Sequence, residues 1–383
     1  MRIMAAGGGS GGHVTPVAAV LGELARMNAK PLEVRFVTDR AFEEQARTIM
    51  QAAPVPVDVR VILAGKLRRY KHFGIVDYIT TPSVLVQNLF DVVKLVIGVG
   101  QAIWQVGRFR PDIVFAKGGY VCLPVGLAAR FWRVPLVIHD SDARPGLTNR
   151  LLAPFATAIA TGYPLENYTY DKARSHYTGV PIRRDFRPLK AAAQAHLKRT
   201  LGYKQDQLLV VAFGGGLGAR SINHAMVAAA EQLAAARIQT VLIAGKSHYE
   251  STKRAAAEYA ATFEVRDFVA DGMIELLSAA DVVVTRASAT SLQELAGLKK
   301  TVVAVPARQL ADQHKNAAVY EAADAAVVLR DDDLDQGALG AELIKLLASS
   351  DRRQQLAAAL HTFARPDAAH AVATLLNTHA RRR

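Results

Sequence analysis

Arg2-Ile3-Met4-Ala5-Ala6 runs directly into Gly7-Gly8-Gly9-Ser10-Gly11-Gly12-His13, and an alanine-rich segment of helical period follows from Pro16. A short apolar run, a glycine turn and a periodic helix make one βα unit. The same grammar returns at 208–213, where an apolar run meets Gly214-Gly215-Gly216-Leu217-Gly218 and a helical segment from 219. Working outward, runs at 33–37, 112–116 and 136–139 belong to the first series, with a helix expected from 40. Those at 240–244, 281–285 and 301–305 belong to the second, with helices expected from 247 and 290. Strands alternating with helices imply a parallel sheet, and the restart implies two of them.

The fold class expected is therefore α/β, with two Rossmann-like doubly wound domains facing across a cleft. A length of 383 residues, half of them hydrophobic, is enough for two cores of ordinary size. The boundary falls in 163–187, rich in turn residues and aromatics and poor in periodicity. This gives a first domain over 1–165 and a second over 166–350, with the helical tail 351–383 packing back on the first. Ligands are expected at the carboxyl ends of the strands, where open α/β sheets bind them.

A net charge of +13 calls for an anionic partner: nucleic acid, a membrane surface or a phosphorylated substrate. No RRM, HTH or OB pattern supports nucleic acid. The single cysteine, Cys122, excludes an internal disulfide and reads as a small core residue of a protein in a reducing compartment. The apolar start ends at Ala6, too short for a signal peptide, so a cytoplasmic protein is expected. The apolar stretch 92–104 is broken by Lys94 and Gln101, and no spanning helix is expected. The acidic run 331–333 reads as a solvated loop, and neither a metal nor a cofactor is expected.

A glycine turn from strand into helix lets backbone N–H groups approach a phosphate, with the helix N-terminus adding favourable dipole. Neither loop reads GxxxxGK[ST], which disfavours a P-loop, and no spaced acidic residue marks a dinucleotide ribose. His13 follows the first loop and precedes the helix expected from Pro16, so its imidazole should project toward whatever the loop binds. Its ordinary pKa suits proton transfer near neutral pH. Taken alone it reads equally as a capping or packing residue.

The segment 7–16 resembles the GGTGGHxxP signature of the MurG family of GT-B glycosyltransferases. Other segments resemble that family in the same order: Lys117-Gly118-Gly119-Tyr120 its GGY loop, and His139-Asp140-Ser141-Asp142 with Gly146-Leu147-Thr148-Asn149 its HEQN…GLTN. Gly179-Val180-Pro181-Ile182-Arg183 resembles GNPVR, 214–220 GGSQGA, 268–273 FIDDM, 286–294 RSGALTxxE and 312–317 the Q-x-x-N-A motif. The resemblance covers nearly the whole chain. It implies inverting transfer of N-acetylglucosamine from UDP-GlcNAc to lipid I, the undecaprenyl-diphosphate-linked muramyl pentapeptide of peptidoglycan synthesis, at the cytoplasmic face of the bacterial inner membrane.

By that resemblance His13 is the catalytic base or orients the acceptor. Gly8, Gly9, Ser10, Gly11, Gly12, Gly119, Tyr120, Asp142 and Asn149 face the acceptor and its diphosphate. On the donor side Gly215, Gly216 and Gly218 lie against the UDP phosphates, and Arg183 adds positive charge. Glu294 takes the ribose hydroxyls, Met273 packs on uracil, and Gln313 and Asn316 read the sugar. Without the motif, Glu294 reads as an exposed helix charge and Met273 as core. The chain departs from the family pattern at Asp140, at Ser141-Asp142 in place of Gln-Asn, and at Gly216-Leu217 in place of Ser-Gln. These exchanges alter groups near the acceptor, the diphosphate and the sugar.

Between 66 and 110, Lys66, Arg68, Arg69, Lys71, Lys94, Arg108 and Arg110 stand among Tyr70, Phe73, Tyr78, Leu85, Phe90, Ile97 and Trp104. Basic residues rimming an apolar face suit an anionic lipid surface; ordinary helix core with a solvated charged face is the other reading. Three alternatives to the whole remain: a GT-B transferase for another lipid or small-molecule acceptor, a UDP-sugar 2-epimerase, which needs acidic catalytic residues, and a paralogue without turnover.

Overall fold

The computed structural model describes residues 1–9, 11–65, 82–215, 218–269 and 271–381. Ser10, Gly216 and Leu217, and Lys66 through Tyr78 of the basic stretch, lie outside the described residues. The chain divides into two compact units, Met1–Ile182 with Asp367–Arg383, and Arg183–Pro366.

In the first unit the strands β1 (Arg2–Ala6), β2 (Glu33–Thr38), β3 (Val57–Val61), β4 (Ile113–Ala116), β5 (Leu136–Asp140), β6 (Ala158–Thr161) and β7 (Ser175–Tyr177) form one sheet in the order β3-β2-β1-β4-β5-β6-β7. Every pairing is parallel. The strand order reverses between β1 and β4, so the first glycine loop sits at the switch point where such sheets bind ligands. Central strands β4, β5 and β6 are buried throughout, and β4 accordingly reads as an unbroken apolar run.

The helix after β1 spans Gly11–Met27, so it begins ahead of Pro16 and takes in His13. Proline's fixed φ is itself helical; it removes one bond to a preceding carbonyl but does not prevent earlier residues from winding. The first unit also continues past residue 165. Strand β7 pairs with β6 in the register Thr161↔Tyr177, and the Thr178 and Gly179 amides both donate to the Thr161 carbonyl. The aromatic segment expected to be a linker is thereby sewn into the first sheet.

The tail forms two helices, Ser350–His361 and Ala368–His379, separated by a break that contains Pro366. Only the second belongs to the first unit. Its Ala369, Val372, Ala373 and Leu376 join the core beneath β1, and Arg381 donates its amide to the Asp112 carbonyl at 3.0 Å. Ser350–His361 stays with the second unit, where Leu356 is in the core and Thr301 Oγ1 donates to the Arg353 carbonyl.

The second unit repeats the plan. Strands β8 (Leu209–Phe213), β9 (Gln239–Ile243), β10 (Phe263–Arg266), β11 (Val282–Thr285), β12 (Thr301–Ala304) and β13 (Val327–Val328) run parallel in the order β10-β9-β8-β11-β12-β13. Its switch point lies between β8 and β11, with the second glycine loop at the end of β8. The acidic run is no free loop: a 3-10 segment spans Asp331–Gln336, and Asp331 accepts from Ser221 Oγ at 2.6 Å and from Arg286 Nη1 at 2.7 Å. Partial burial acts to raise the Asp331 carboxyl, but the Ser221 hydroxyl and the Arg286 guanidinium outweigh it and hold the group below its ordinary range.

The apolar stretch of the first unit lies in one long helix, Pro82–Phe109. Its segment Leu89–Phe109, 21 residues of mean hydropathy 1.5, is long and apolar enough to cross a membrane by length and composition, although no such segment was expected from the sequence. Lys94 and Gln101 dilute the run without ending it.

Candidate active site

At the first switch point two glycine loops close on one imidazole. Gly118 and Gly119 have φ of 112° and 85°, a left-handed conformation that side chains rarely adopt. A Cβ on Gly118 would lie 3.4 Å from both Cε1 and Nδ1 of His13, and one on Gly119 would lie 2.6 Å from the Gly8 carbonyl oxygen. The loop after β4 thus packs backbone-first onto His13 and onto the loop after β1. Gly9 meets the Tyr120 ring on its other side, where a Cβ would be 3.1 Å from Cε1.

His13 Nδ1 is buried and has no hydrogen-bond partner among the described residues. Burial, and secondly the charge of Lys117, lower its pKa to about 3, so the imidazole is neutral. Buried polar atoms are normally paired. Around this corner the Asn149 Oδ1, Thr38 Oγ1 and Asp39 Oδ2 atoms are also buried and unpartnered among the described residues. That concentration of unsatisfied atoms at a glycine-lined switch point suits a polar ligand.

The turn after β5 forms the remaining wall. Asp140 Oδ2 accepts from the Gly146 amide at 2.9 Å and from the Tyr170 hydroxyl at 2.7 Å. Burial nevertheless pushes the Asp140 carboxyl up to about 6, outweighing these bonds. Asn149 Nδ2 donates to the His139 carbonyl at 3.1 Å, and Tyr168 donates its hydroxyl to the Asp142 carbonyl at 2.6 Å. Lys117, at the end of β4, is 1% exposed and donates Nζ to Ser141 Oγ. Burial lowers the Lys117 ammonium to about 8, opposed by Asp142 and Asp140.

At the second switch point the glycines differ among themselves. A Cβ on Gly218 would sit 2.2 Å from the Ala244 carbonyl oxygen, whereas Gly215, at φ 88°, is exposed and would meet nothing within 4 Å. Gly218 is thus held by packing, and the Gly215 backbone stands open. Beyond β11, Ser288 caps the helix Ala289–Gly297 by accepting from the Ser291 amide, and Glu294 lies within the same helix, less than two turns beyond the cap. Burial raises the Glu294 carboxyl to about 8, with Arg183 the opposing charge. Arg183 also pairs with Asp185 at 2.6 Å. Met273 opens the helix Met273–Ala279 half-buried, after a left-handed Gly272.

Of the residues expected from the sequence, the first unit brings together His13, Gly8, Gly9, Gly119, Tyr120 and Asn149, and the second brings Glu294 near Arg183. Two carboxamides are committed internally. Asn316 is 1% exposed and donates to the Ala287 carbonyl at 3.2 Å, and Gln313 Oε1 accepts from the Ala307 amide at 2.8 Å. Asn316 thereby holds the loop after β11. Lys117, Thr38 and Asp39 were missed, as was the Arg286–Asp331 pair. Lys117 carried a signal, a lysine ending the wholly apolar run Ile113–Ala116; the other residues carry none in isolation. Among the described residues no three His, Cys, Asp or Glu side chains cluster to hold a metal ion.

Residues 3–161 match the glycosyltransferase family 28 N-terminal domain and residues 209–372 its C-terminal domain. The chain is 31% identical over 350 residues to the Clostridium kluyveri UDP-N-acetylglucosamine–N-acetylmuramyl-(pentapeptide) pyrophosphoryl-undecaprenol N-acetylglucosamine transferase, covering 90% of this chain and 91% of that one. A Bacillus cereus transferase of the same name is 28% identical over 383 residues, covering 98% and 99%. The crystal structure of Acinetobacter baumannii MurG superposes with a TM-score of 0.72 at 23% identity, covering 98% and 99%. A Neisseria meningitidis UDP-GlcNAc 2-epimerase bound to UDP-GlcNAc gives 0.66 at 11% identity, covering 99% and 100%, and shares the fold.

Proposed function

The chain belongs to glycosyltransferase family 28, among the UDP-N-acetylglucosamine–N-acetylmuramyl-(pentapeptide) pyrophosphoryl-undecaprenol N-acetylglucosamine transferases, and on that premise we propose that it makes lipid II from lipid I and UDP-GlcNAc. One observation carries the assignment of chemistry to residues: a neutral, unpartnered His13 imidazole clamped between two glycine loops at a switch point.

A hydroxyl of the acceptor sugar attacks the anomeric carbon of N-acetylglucosamine. The new C–O bond forms as the bond to the UDP phosphate breaks, the configuration inverts, and the hydroxyl proton passes to His13. A pKa of about 3, set by burial and the Lys117 charge, makes the imidazole by itself a weak base. An anionic acceptor diphosphate placed against the glycine loops favours the imidazolium and raises that basicity when substrate is present. Backbone N–H groups at Gly9, Gly11 and Gly12 suit the acceptor diphosphate, and the open Gly215 suits the leaving UDP. Glu294 accepts from the ribose hydroxyls, Arg183 offsets its charge, and Met273 offers a flat apolar contact to uracil.

The acceptor's polyprenyl chain requires a membrane surface. Leu89, Phe90, Val96 and Trp104 on the helix Pro82–Phe109 are each more than 60% exposed, while Ala102 and Val106 pack inward. One face committed to the fold and another bare and apolar, with Lys94, Arg108 and Arg110 nearby, fits a helix lying on anionic lipid at the cytoplasmic face better than one crossing it. Each basic side chain near the surface adds about 1 kcal/mol. Sedimentation with phosphatidylglycerol vesicles should carry the protein down, and phosphatidylcholine vesicles should not.

The reaction is tested by radiolabel transfer from UDP-GlcNAc to lipid-linked muramyl pentapeptide in detergent, with UDP-glucose and UDP-GalNAc as competing donors. Transfer from UDP-GlcNAc alone is expected. UDP binding with no transfer to this acceptor would overturn the assignment in favour of another acceptor or a paralogue without turnover.

A further inference from the structure

The transfer chemistry above leaves the buried charge nearest His13 unused. Lys117 is 1% exposed, and an ammonium taken out of water needs both hydrogen bonds and counter-charge. Its Nζ donates to Ser141 Oγ. Ser141 Oγ lies 3.4 Å from His139 Nδ1, and His139 Nε2 lies 2.9 Å from the Gly179 carbonyl oxygen. Since a carbonyl only accepts, Nε2 carries the ring proton and Nδ1 accepts from Ser141. The chain of bonds therefore runs one way, from Lys117 through Ser141 and His139 to Gly179.

The counter-charges come from the same turn, Asp142 and Asp140 on either side of Ser141, with Cys122 from the following helix a lesser neighbour. Tyr170 faces Asp140 from the segment before β7. Toward the glycine loops Lys117 adjoins Gly118, which lies flat on the His13 ring, and the other titratable group acting there is His139. On the far side of the loop Asp39, from the end of β2, faces Tyr120.

Building on the reaction proposed above, we infer that Lys117 is a positioning residue for it. Its buried ammonium, bonded to Ser141 Oγ, ties the turn 139–142 to the Gly118-Gly119 loop, faces Asp142 and Asp140, and presents a positive charge to the His13 imidazole. Two carboxylates flanking one buried serine repel each other, and the ammonium between them and the glycine loop offsets that repulsion. Lys117 touches no substrate. It sets where Asp142 stands and which protonation state His13 keeps.

Lys117→Met, Asp142→Asn and the double variant are compared in the full-length protein by sugar transfer across pH and by thermal unfolding. Lys117→Met removes the ammonium that faces both carboxylates and Asp142→Asn removes one of those carboxylates; each is expected to lower kcat/KM by about 10-fold or more, with the double variant recovering most of the loss because the two changes in charge then cancel. In Lys117→Met the acid limb of kcat/KM moves to higher pH, since loss of the neighbouring positive charge makes His13 easier to protonate. Ser141→Ala keeps the charge and should lower kcat with the acid limb unmoved. Losses that multiply in the double variant, with an unmoved acid limb in Lys117→Met, would overturn the inference. A wild-type protein that transfers no sugar fails the proposed reaction instead. In that event the unfolding cycle still decides the pairing: melting points lower in both singles than in the double uphold it, and additive losses refute it.

Discussion

The two glycine loops occupy the same station in the same strand order, yet they are built differently. In the first unit the loop is crowded: Gly8 and Gly119 leave no room for a Cβ, and unsatisfied polar atoms lie near a histidine. In the second, Gly218 is packed tight but Gly215 is bare backbone facing outward. A crowded loop suits the fixing of the side chain proposed to take the proton, whereas an open one suits the proposed contact of amides with the leaving phosphate. One topology thus supports two chemistries, set by what the turn packs against.

The largest test of that contrast is His13→Ala. Transfer should fall by about 100-fold or more with UDP affinity unchanged, as measured by steady-state kinetics and calorimetry. Equal loss of UDP binding would make the two loops one site. Glu294→Ala should do the opposite, weakening UDP-GlcNAc binding by about 10-fold through the lost ribose contacts.

Gly119→Ala and Gly215→Ala both place a side chain at positive φ, a strain of about 1–3 kcal/mol. Only at Gly119 does the new Cβ also strike backbone, the Gly8 carbonyl oxygen at 2.6 Å. Gly119→Ala should therefore lose more in melting temperature and turnover than Gly215→Ala, and equal losses would erase the distinction between crowded and open. Asn316→Ala should destabilise the second unit by about 1–3 kcal/mol, the Ala287 carbonyl being left unpaired, before any effect on sugar discrimination.

The smallest effect is one of pH. A Glu294 carboxyl raised to about 8 from an ordinary 4.5 contributes stability that is present in full below the lower value. It is lost as pH rises through the higher one, because the folded state then holds the proton longer than the unfolded. Glu294→Gln should flatten the fall in melting temperature across that window. An unchanged slope would show that Glu294 is solvated.

Much of the fold was legible because buried parallel strands are unbroken apolar runs. Leu209–Phe213 and Val282–Thr285 announce themselves. Val57–Val61, Ala158–Thr161, Ser175–Tyr177 and Phe263–Arg266 did not, being partly exposed, alanine-rich or set among turn residues. Ser175–Tyr177 is a strand only because β6 offers it an edge, and with it went the expected boundary at 165. The break before Ala368 likewise decided which half of the tail returns to the first unit.

The sequence alone determined the alternation of strand and helix, the duplication, the glycine loops and the position of His13, all of which rest on local period and backbone freedom. Tertiary structure alone decided that Gly118 and Gly119 close on His13, that Asn316 is spent on a carbonyl, and that Lys117 lies beneath Asp140 and Asp142. Those facts depend on which strand ends meet at a switch point and on which groups lose their water there, and residues far apart in the chain carry no local trace of either.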